Sequence, residues 1–196
     1  MKLNRIKLIG TRGDFEYSHE VHGEKFYKTY VEVKRISGAV DKIPVIVPSV
    51  FAQEDSRRVE IDGQIRTRNI NGDDDKTHLE IYVFSKDLKD TDEEDCNYFV
   101  GEGYVCKDPR YRETPLGKNI TDLLLAFNRE YDKSDYIPCI AWGRNAHRVA
   151  DCGIGTPLTI EGRLQSRKYM KAVDEYNEMW VEKTAYELSI MKVEEE

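Results

Sequence analysis

The sequence predicts a mainly β chain made of two tandem copies of one small five-stranded barrel. Three observations predict it. Short blocks recur in the same order at a slowly growing offset, an acidic stretch separates the two sets, and the blocks lie in short runs of strand character.

The recurrence starts with His22-Gly23-Glu24-Lys25 against Leu116-Gly117-Lys118-Asn119, and Ile43-Pro44-Val45-Ile46 against Ile137-Pro138-Cys139-Ile140, both at offset 94. Ile61-Asp62-Gly63-Gln64-Ile65-Arg66-Thr67-Arg68 then meets Ile160-Glu161-Gly162-Arg163-Leu164-Gln165-Ser166-Arg167 at offset 99. Thr77-His78-Leu79-Glu80-Ile81 meets Thr184-Ala185-Tyr186-Glu187-Leu188 at offset 107. Each block alone is short, but four in one order argue for duplication, with the offset growing where loops are expected. The expected division is residues 1–88, an acidic linker 89–96 and residues 97–196.

Within each copy the runs read as strands. Residues 30–33 and 122–127 are apolar-rich, and 43–47 and 136–142 follow them. Residues 59–69 with 77–84, and 158–169 with 183–193, read as hairpins. The first carries a Gly-Asp-rich loop over residues 71–75. One helix is expected, over residues 144–152 of the second copy, with Gly153 as its C-cap. Five short strands with a helix between the third and fourth is the plan of the OB-fold, a small, partly open barrel.

Composition fits a folded domain pair: 196 residues, 39% hydrophobic and 34% charged. The net charge of −7 is unevenly placed. Residues 1–88 carry 15 bases and 15 acids, residues 89–95 one base and five acids, and residues 96–196 fourteen bases and 17 acids. The excess sits in the linker and the terminal glutamates, so either body is free to present a basic face. Met1 to Gly10 has no apolar stretch of the signal-peptide kind, which gives a cytoplasmic location as the expectation, with no membrane span. Cys96, Cys106, Cys139 and Cys152 match no zinc spacing and read as reduced thiols; no metal or cofactor is expected. No phosphate-binding loop, nucleophile elbow or metalloprotease motif is present, and acids such as Glu161 and Glu187 have no evident catalytic partner, so an enzyme is the weakest option.

Strand parity points to chemistry in the second copy. Over residues 136–142 the odd positions, Ile137, Cys139 and Ala141, are small and apolar and suit a core. The even positions include Tyr136 and Trp142, which therefore project together from the opposite face. In the next run Arg163, Gln165, Arg167 and Tyr169 share one face, and Ile160, Gly162 and Leu164 the other. Aromatic rings interleaved with arginines on an open sheet make a platform for unpaired bases, stacking being worth about 1–3 kcal/mol per base. The arginines would neutralise phosphates.

Three motifs in order carry a family resemblance: Asp108-Pro109-Arg110-Tyr111-Arg112 to Lys118, Tyr136-Ile137-Pro138-Cys139-Ile140-Ala141-Trp142-Gly143-Arg144, and Ile160-Glu161-Gly162-Arg163 to Tyr169. From Gly101 to Val193 the chain resembles the bacterial and phage single-stranded DNA-binding proteins; the first copy resembles them faintly. The resemblance implies base stacking on Tyr131, Tyr136, Trp142 and Tyr169, and phosphate contacts from Arg112, Arg144, Arg163 and Arg167. Tyr176 and Trp180, near the last hairpin's loop, would extend the platform. It also implies coating of single-stranded DNA during replication, recombination or repair. The family commonly gathers four OB folds, which two of these chains would supply as a homodimer. The family's acidic tail closed by Pro-Phe has no counterpart in Lys192-Val193-Glu194-Glu195-Glu196, so recruitment by that route is not expected. The runner-up functions are a primosome-type replication-restart OB protein and a protein-interaction OB module.

At the repeat offsets the four stacking positions fall on Ser37, Lys42, Pro48 and Ile70 of the first copy, none of them aromatic. Arg68 matches Arg167, and Arg66 shares its face. The first copy is therefore expected to bind weakly, through phosphates, or to serve another role. Phe15, Tyr17, Phe26, Tyr27 and Tyr30 lie off the matched positions and are expected to be mostly core.

Overall fold

A computed structural model of the chain describes residues 3–53, 55–71, 77–129, 133–172 and 180–195. Twelve strands and one helix occur among them: β1 (Asn4–Arg12), β2 (Glu16–Val21), β3 (Glu24–Lys34), β4 (Val40–Pro48), β5 (Arg58–Asn71), β6 (Thr77–Asp90), β7 (Cys96–Val105), β8 (Arg110–Glu113), β9 (Asn119–Asn128), β10 (Ser134–Trp142), α1 (Arg144–Val149), β11 (Pro157–Ala172) and β12 (Trp180–Glu195).

The pairings run as two rings. In the first, β3 pairs β4, β4 runs parallel to β6, β6 pairs β5, β5 pairs β1, and β1 returns to β3 at Thr11↔Glu32. In the second, β9, β10, β12, β11 and β7 repeat that order, and β7 returns to β9 at Tyr104↔Ala126. These are the two tandem OB folds that the repeat predicts. Two edge strands lie outside the predicted plan: β2 on β3, and β8 on β9. The repeated glycine of the Ile-x-Gly blocks has a structural reason. Gly63 and Gly162 both sit at β-bulges, where an added Cβ would lie 2.5 Å from the Phe84 carbonyl oxygen and 2.4 Å from that of Ser189.

The rings join edge to edge through β1 and β7, antiparallel, with Ile6 opposite Phe99 at the centre. The contacts around that pair come in twos. The Asn4 side chain bonds the backbone of Ile65 (2.9 and 3.0 Å), and Asn97 bonds Leu164 in the same way (2.7 and 3.0 Å). Asp135 accepts the Thr67 amide at 2.7 Å, and Asp41 accepts that of Ser166 at 2.8 Å. Arg129 pairs with Asp135, and Arg35 with Asp41. Offsets of 93, 94 and 99 relate these partners, so the chain makes with itself the isologous contact that a two-fold dimer makes between subunits. The segment between the rings shortens to residues 91–95, because β6 runs through Asp90 and β7 starts at Cys96.

The helix departs from expectation. It ends at Val149 rather than Cys152, and Gly153 is not left-handed; Gly155 takes the positive φ, 91°. Cys152 instead turns back to the Val149 carbonyl and is buried in the core, which closes the helix early. In the first copy residues 49–53 form turns in the helix's place, with Phe51 and Ala52 against the core.

Candidate nucleic-acid interface

β10 alternates as its sequence does. Ile137, Cys139 and Ala141 are buried, while Tyr136 and Trp142 are 48% and 39% exposed. Ile140 departs from that alternation: it is even-numbered and buried. Cross-strand register sets Tyr136 opposite Ala126, and Trp142 opposite Ile120. On the other side of β9, Arg112 pairs with Ile120, so Trp142, Ile120 and Arg112 form one row across three strands. Ile120 is buried without joining the barrel core, consistent with cover from its two neighbours in that row.

β11 supplies the second part of the face. Tyr169 is 36% exposed, and the Arg167 guanidinium lies 5.8 Å from its ring centroid, within cation–π range. Arg167 is itself exposed, 4.0 Å from Glu187. Gln165, on the same predicted face, is buried and donates to Glu187 at 2.8 Å. Trp180 is exposed where β12 begins, opposite Ala172. Tyr131 and Tyr176 lie outside the described residues.

The cations are placed unequally. Arg144 opens the helix and is exposed. Arg112 forms a bidentate pair with Asp122 at 2.7 and 3.2 Å on an exposed surface. Arg163 lines a cleft of about 630 Å³ with Lys34, Ile36 and Ser37 of the first copy, and no stacking aromatic lines it. Arg66 turns into the seam between the copies and donates to Asp135 at 3.2 Å. Arg68 donates to Glu80 at 2.5 Å and stacks on Tyr82.

Sequence reasoning missed two rings. Tyr111 on β8 is exposed and 5.2 Å from the His147 ring; the alternation Arg110-Tyr111-Arg112 was its only signal. Tyr30 is the other. The expectation that the first copy's aromatics are mostly core holds for Phe15, Phe26 and Tyr27, which are buried or packed against the core, and fails for Tyr17 and Tyr30. Only Phe26 is buried, and it lies outside the core cluster, stacked on His19 at 5.0 Å. Phe15 and Tyr27 pack partly against the core, Tyr17 is 61% exposed, and Tyr30 stands on the outer face of β3. The edge strand β2, absent from the five-strand plan, is what brings His19 over Phe26.

Glu80 organises the cations of that face. Burial raises its pKa, but hydrogen bonds from Lys28 (2.8 Å) and Arg68 outweigh this and hold it below the ordinary value of 4.5. A lowered carboxylate pKa stabilises the fold above the unfolded value and loses that contribution as pH falls through the folded value. The stability difference between wild type and Glu80→Gln is therefore expected to be full at pH 7 and to shrink below pH 4.5, read by urea melts at both ends. A difference independent of pH would remove Glu80 from that role.

Comparison with known proteins follows the same division. The profile of the single-strand binding protein family matches residues 96–194. Single-stranded DNA-binding protein 1 of Staphylococcus aureus is 36% identical over 80 aligned residues, covering 37% of this chain and 48% of that protein. Single-stranded DNA-binding protein A of Bacillus subtilis is also 36% identical over 80 residues, covering 37% and 46%. The chain thus spans about half the length of the curated relatives it matches. The crystal structure of the wild-type single-stranded DNA-binding protein from Thermus aquaticus superposes over 100% of this chain and 93% of its own, with TM-score 0.77 at 19% identity, a likeness of fold.

Proposed function

The chain belongs to the single-strand binding protein family, and from that membership we propose that it is a non-catalytic protein coating single-stranded DNA during replication, recombination or repair. The observation that supports this best is the set of exposed rings: Tyr136 and Trp142 stand on the outer face of β10, whose alternate residues Ile137, Cys139 and Ala141 fill the barrel, and Tyr169 is exposed on β11. Rings held this way accept any base, because every base has a π-face, and give little sequence preference. Tyr131 joins them by resemblance. Arg144 and Arg167 are the exposed cations beside the rings; Arg112 reaches a phosphate in competition with Asp122, and Arg163 from within its cleft. In this reading residues 97–196 are the principal binding domain, residues 1–88 its degenerate copy, and 89–96 the acidic join. Two chains associate to bring four OB folds together in the cytoplasm, with a mass in solution twice that of one chain.

Fluorescence anisotropy with labelled oligo-dT tests the proposal. The chain should bind the oligonucleotide and discriminate against the matching duplex; equal binding to both would contradict it. Affinity should fall as salt rises, with a log–log slope of about −0.7 per phosphate contact on single strands. Arg167→Ala is expected to flatten that slope by about 0.7, and an unchanged slope removes Arg167 from the contact set.

A further inference from the structure

The outer face of the first copy carries a ring that the repeat offsets pass over. Thr29, Val31 and Val33 of β3 are buried, so Lys28, Tyr30 and Glu32 share its outward face. Register sets Pro44 opposite Tyr30 and Lys42 opposite Glu32, which makes Lys42 the diagonal neighbour of Tyr30. Both lysines lean toward the ring, with Lys42 Nζ 5.1 Å and Lys28 Nζ 5.5 Å from its centroid. At offset 94, Lys42 occupies the place of Tyr136, and Tyr30 that of Leu124. The ring has moved one diagonal step, about 7–8 Å between strands, and a cation has taken its former place.

The surroundings suit a base. Tyr30, Lys28, Lys42, Thr29 and Gly13 line a cleft of about 310 Å³, at the small end of ligand sites. Asp14, Glu16 and Glu32 border the same cleft and balance the charges of Arg12, Lys28 and Lys42, so its lining carries no net charge, and Lys42 is exposed to meet a phosphate at its edge. The second copy reaches the edge of this site. Ser166 accepts from the Lys42 amide at 3.2 Å, and burial, with Tyr30 and Glu80 nearby, pushes the Tyr186 phenol up to about 12.

We infer that Tyr30, flanked by Lys28 and Lys42, is a stacking position of the first copy that takes one unpaired base of the strand bound by the second. The inference rests on the proposed single-strand reading. Anisotropy on the full chain with two oligo-dT lengths tests it, one of about 8 nucleotides, within a single OB footprint, and one of about 30. Tyr30→Ala should leave the short oligonucleotide within about twofold of wild type and weaken the long one about 5- to 150-fold, the loss of one stacked base. Tyr30→Phe should retain most of the affinity, and Trp142→Ala should weaken both lengths. If Tyr30→Ala folds and binds the long oligonucleotide as wild type does, while Trp142→Ala is weakened, the inference fails and the proposed function stands. If Tyr30→Ala melts early, the exposed Lys42→Glu carries the test: weaker binding of the long strand alone supports the site, and unchanged binding overturns it. A wild-type chain that does not distinguish oligonucleotide from duplex overturns both.

Discussion

Asp135→Ala is expected to destabilise the chain by about 3 kcal/mol, the lower end of what breaking a buried ion pair costs. Asp135 is fully buried on β10. It accepts the Thr67 amide at 2.7 Å and faces Arg66 at 3.2 Å and Arg129 at 3.1 Å. Alanine would leave that amide without its acceptor and two partly buried guanidiniums without their carboxylate. Those side chains keep 19% and 28% exposure, which holds the cost at the lower end. Asp135→Asn should cost less, about 1–2 kcal/mol. It still accepts from Thr67, and burial already pushes the Asp135 carboxyl above the ordinary aspartate value despite the Thr67 amide and both arginines. Asp41→Ala, at the matched position against Arg35 and Ser166, should behave alike. Urea melts of the three variants check this. A loss under 1 kcal/mol in Asp135→Ala would mean that the paired aspartates do not hold the copies together.

Trp142→Ala should cost about 1–3 kcal/mol of single-strand affinity, a factor of about 5 to 150, and leave the salt slope unchanged. The substitution removes a π-face without altering charge. Trp142→Phe should recover part of the loss, since stacking needs a ring rather than the indole N–H. Stability should fall by less than the 3–5 kcal/mol of a buried Trp, because Trp142 is 39% exposed. The residual loss comes mainly from uncovering Ile120, its opposite neighbour. Anisotropy and a denaturant melt on the same preparations separate the two effects. Normal binding with several kcal/mol of lost stability would make Trp142 a packing residue.

The parts of this fold written in local pattern were legible. The offset of 94 placed β3 with β9 and β4 with β10, and the two-residue period of β10 put Tyr136 and Trp142 outside, because neighbouring residues along a strand cannot choose their face independently. What depended on partners distant in sequence was not. Arg66 shares a predicted face with Arg68, yet it meets Asp135, 69 residues away, because the copies close on each other about Ile6 and Phe99. Gln165 keeps its predicted face but is buried on it, where Glu187, directly across the hairpin, accepts from its amide. Offsets compare positions one to one, so Tyr30, one diagonal step from the matched place, fell outside the comparison. The helix stop at Gly153 was read from a local preference, and the burial of Cys152 overrode it.

The central claim is that the second copy's outward rings take unpaired bases, and one measurement reaches it most directly. Trp180→Phe leaves Trp142 as the chain's single tryptophan. Titrating that variant with oligo-dT should quench the Trp142 emission strongly and saturably. Added salt should reverse the quench by dissociating the strand, and the same sequence as a duplex should leave the emission nearly unchanged. Emission that does not respond to oligo-dT under conditions where anisotropy shows it bound, or that responds equally to the duplex, would place the strand elsewhere and contradict the account.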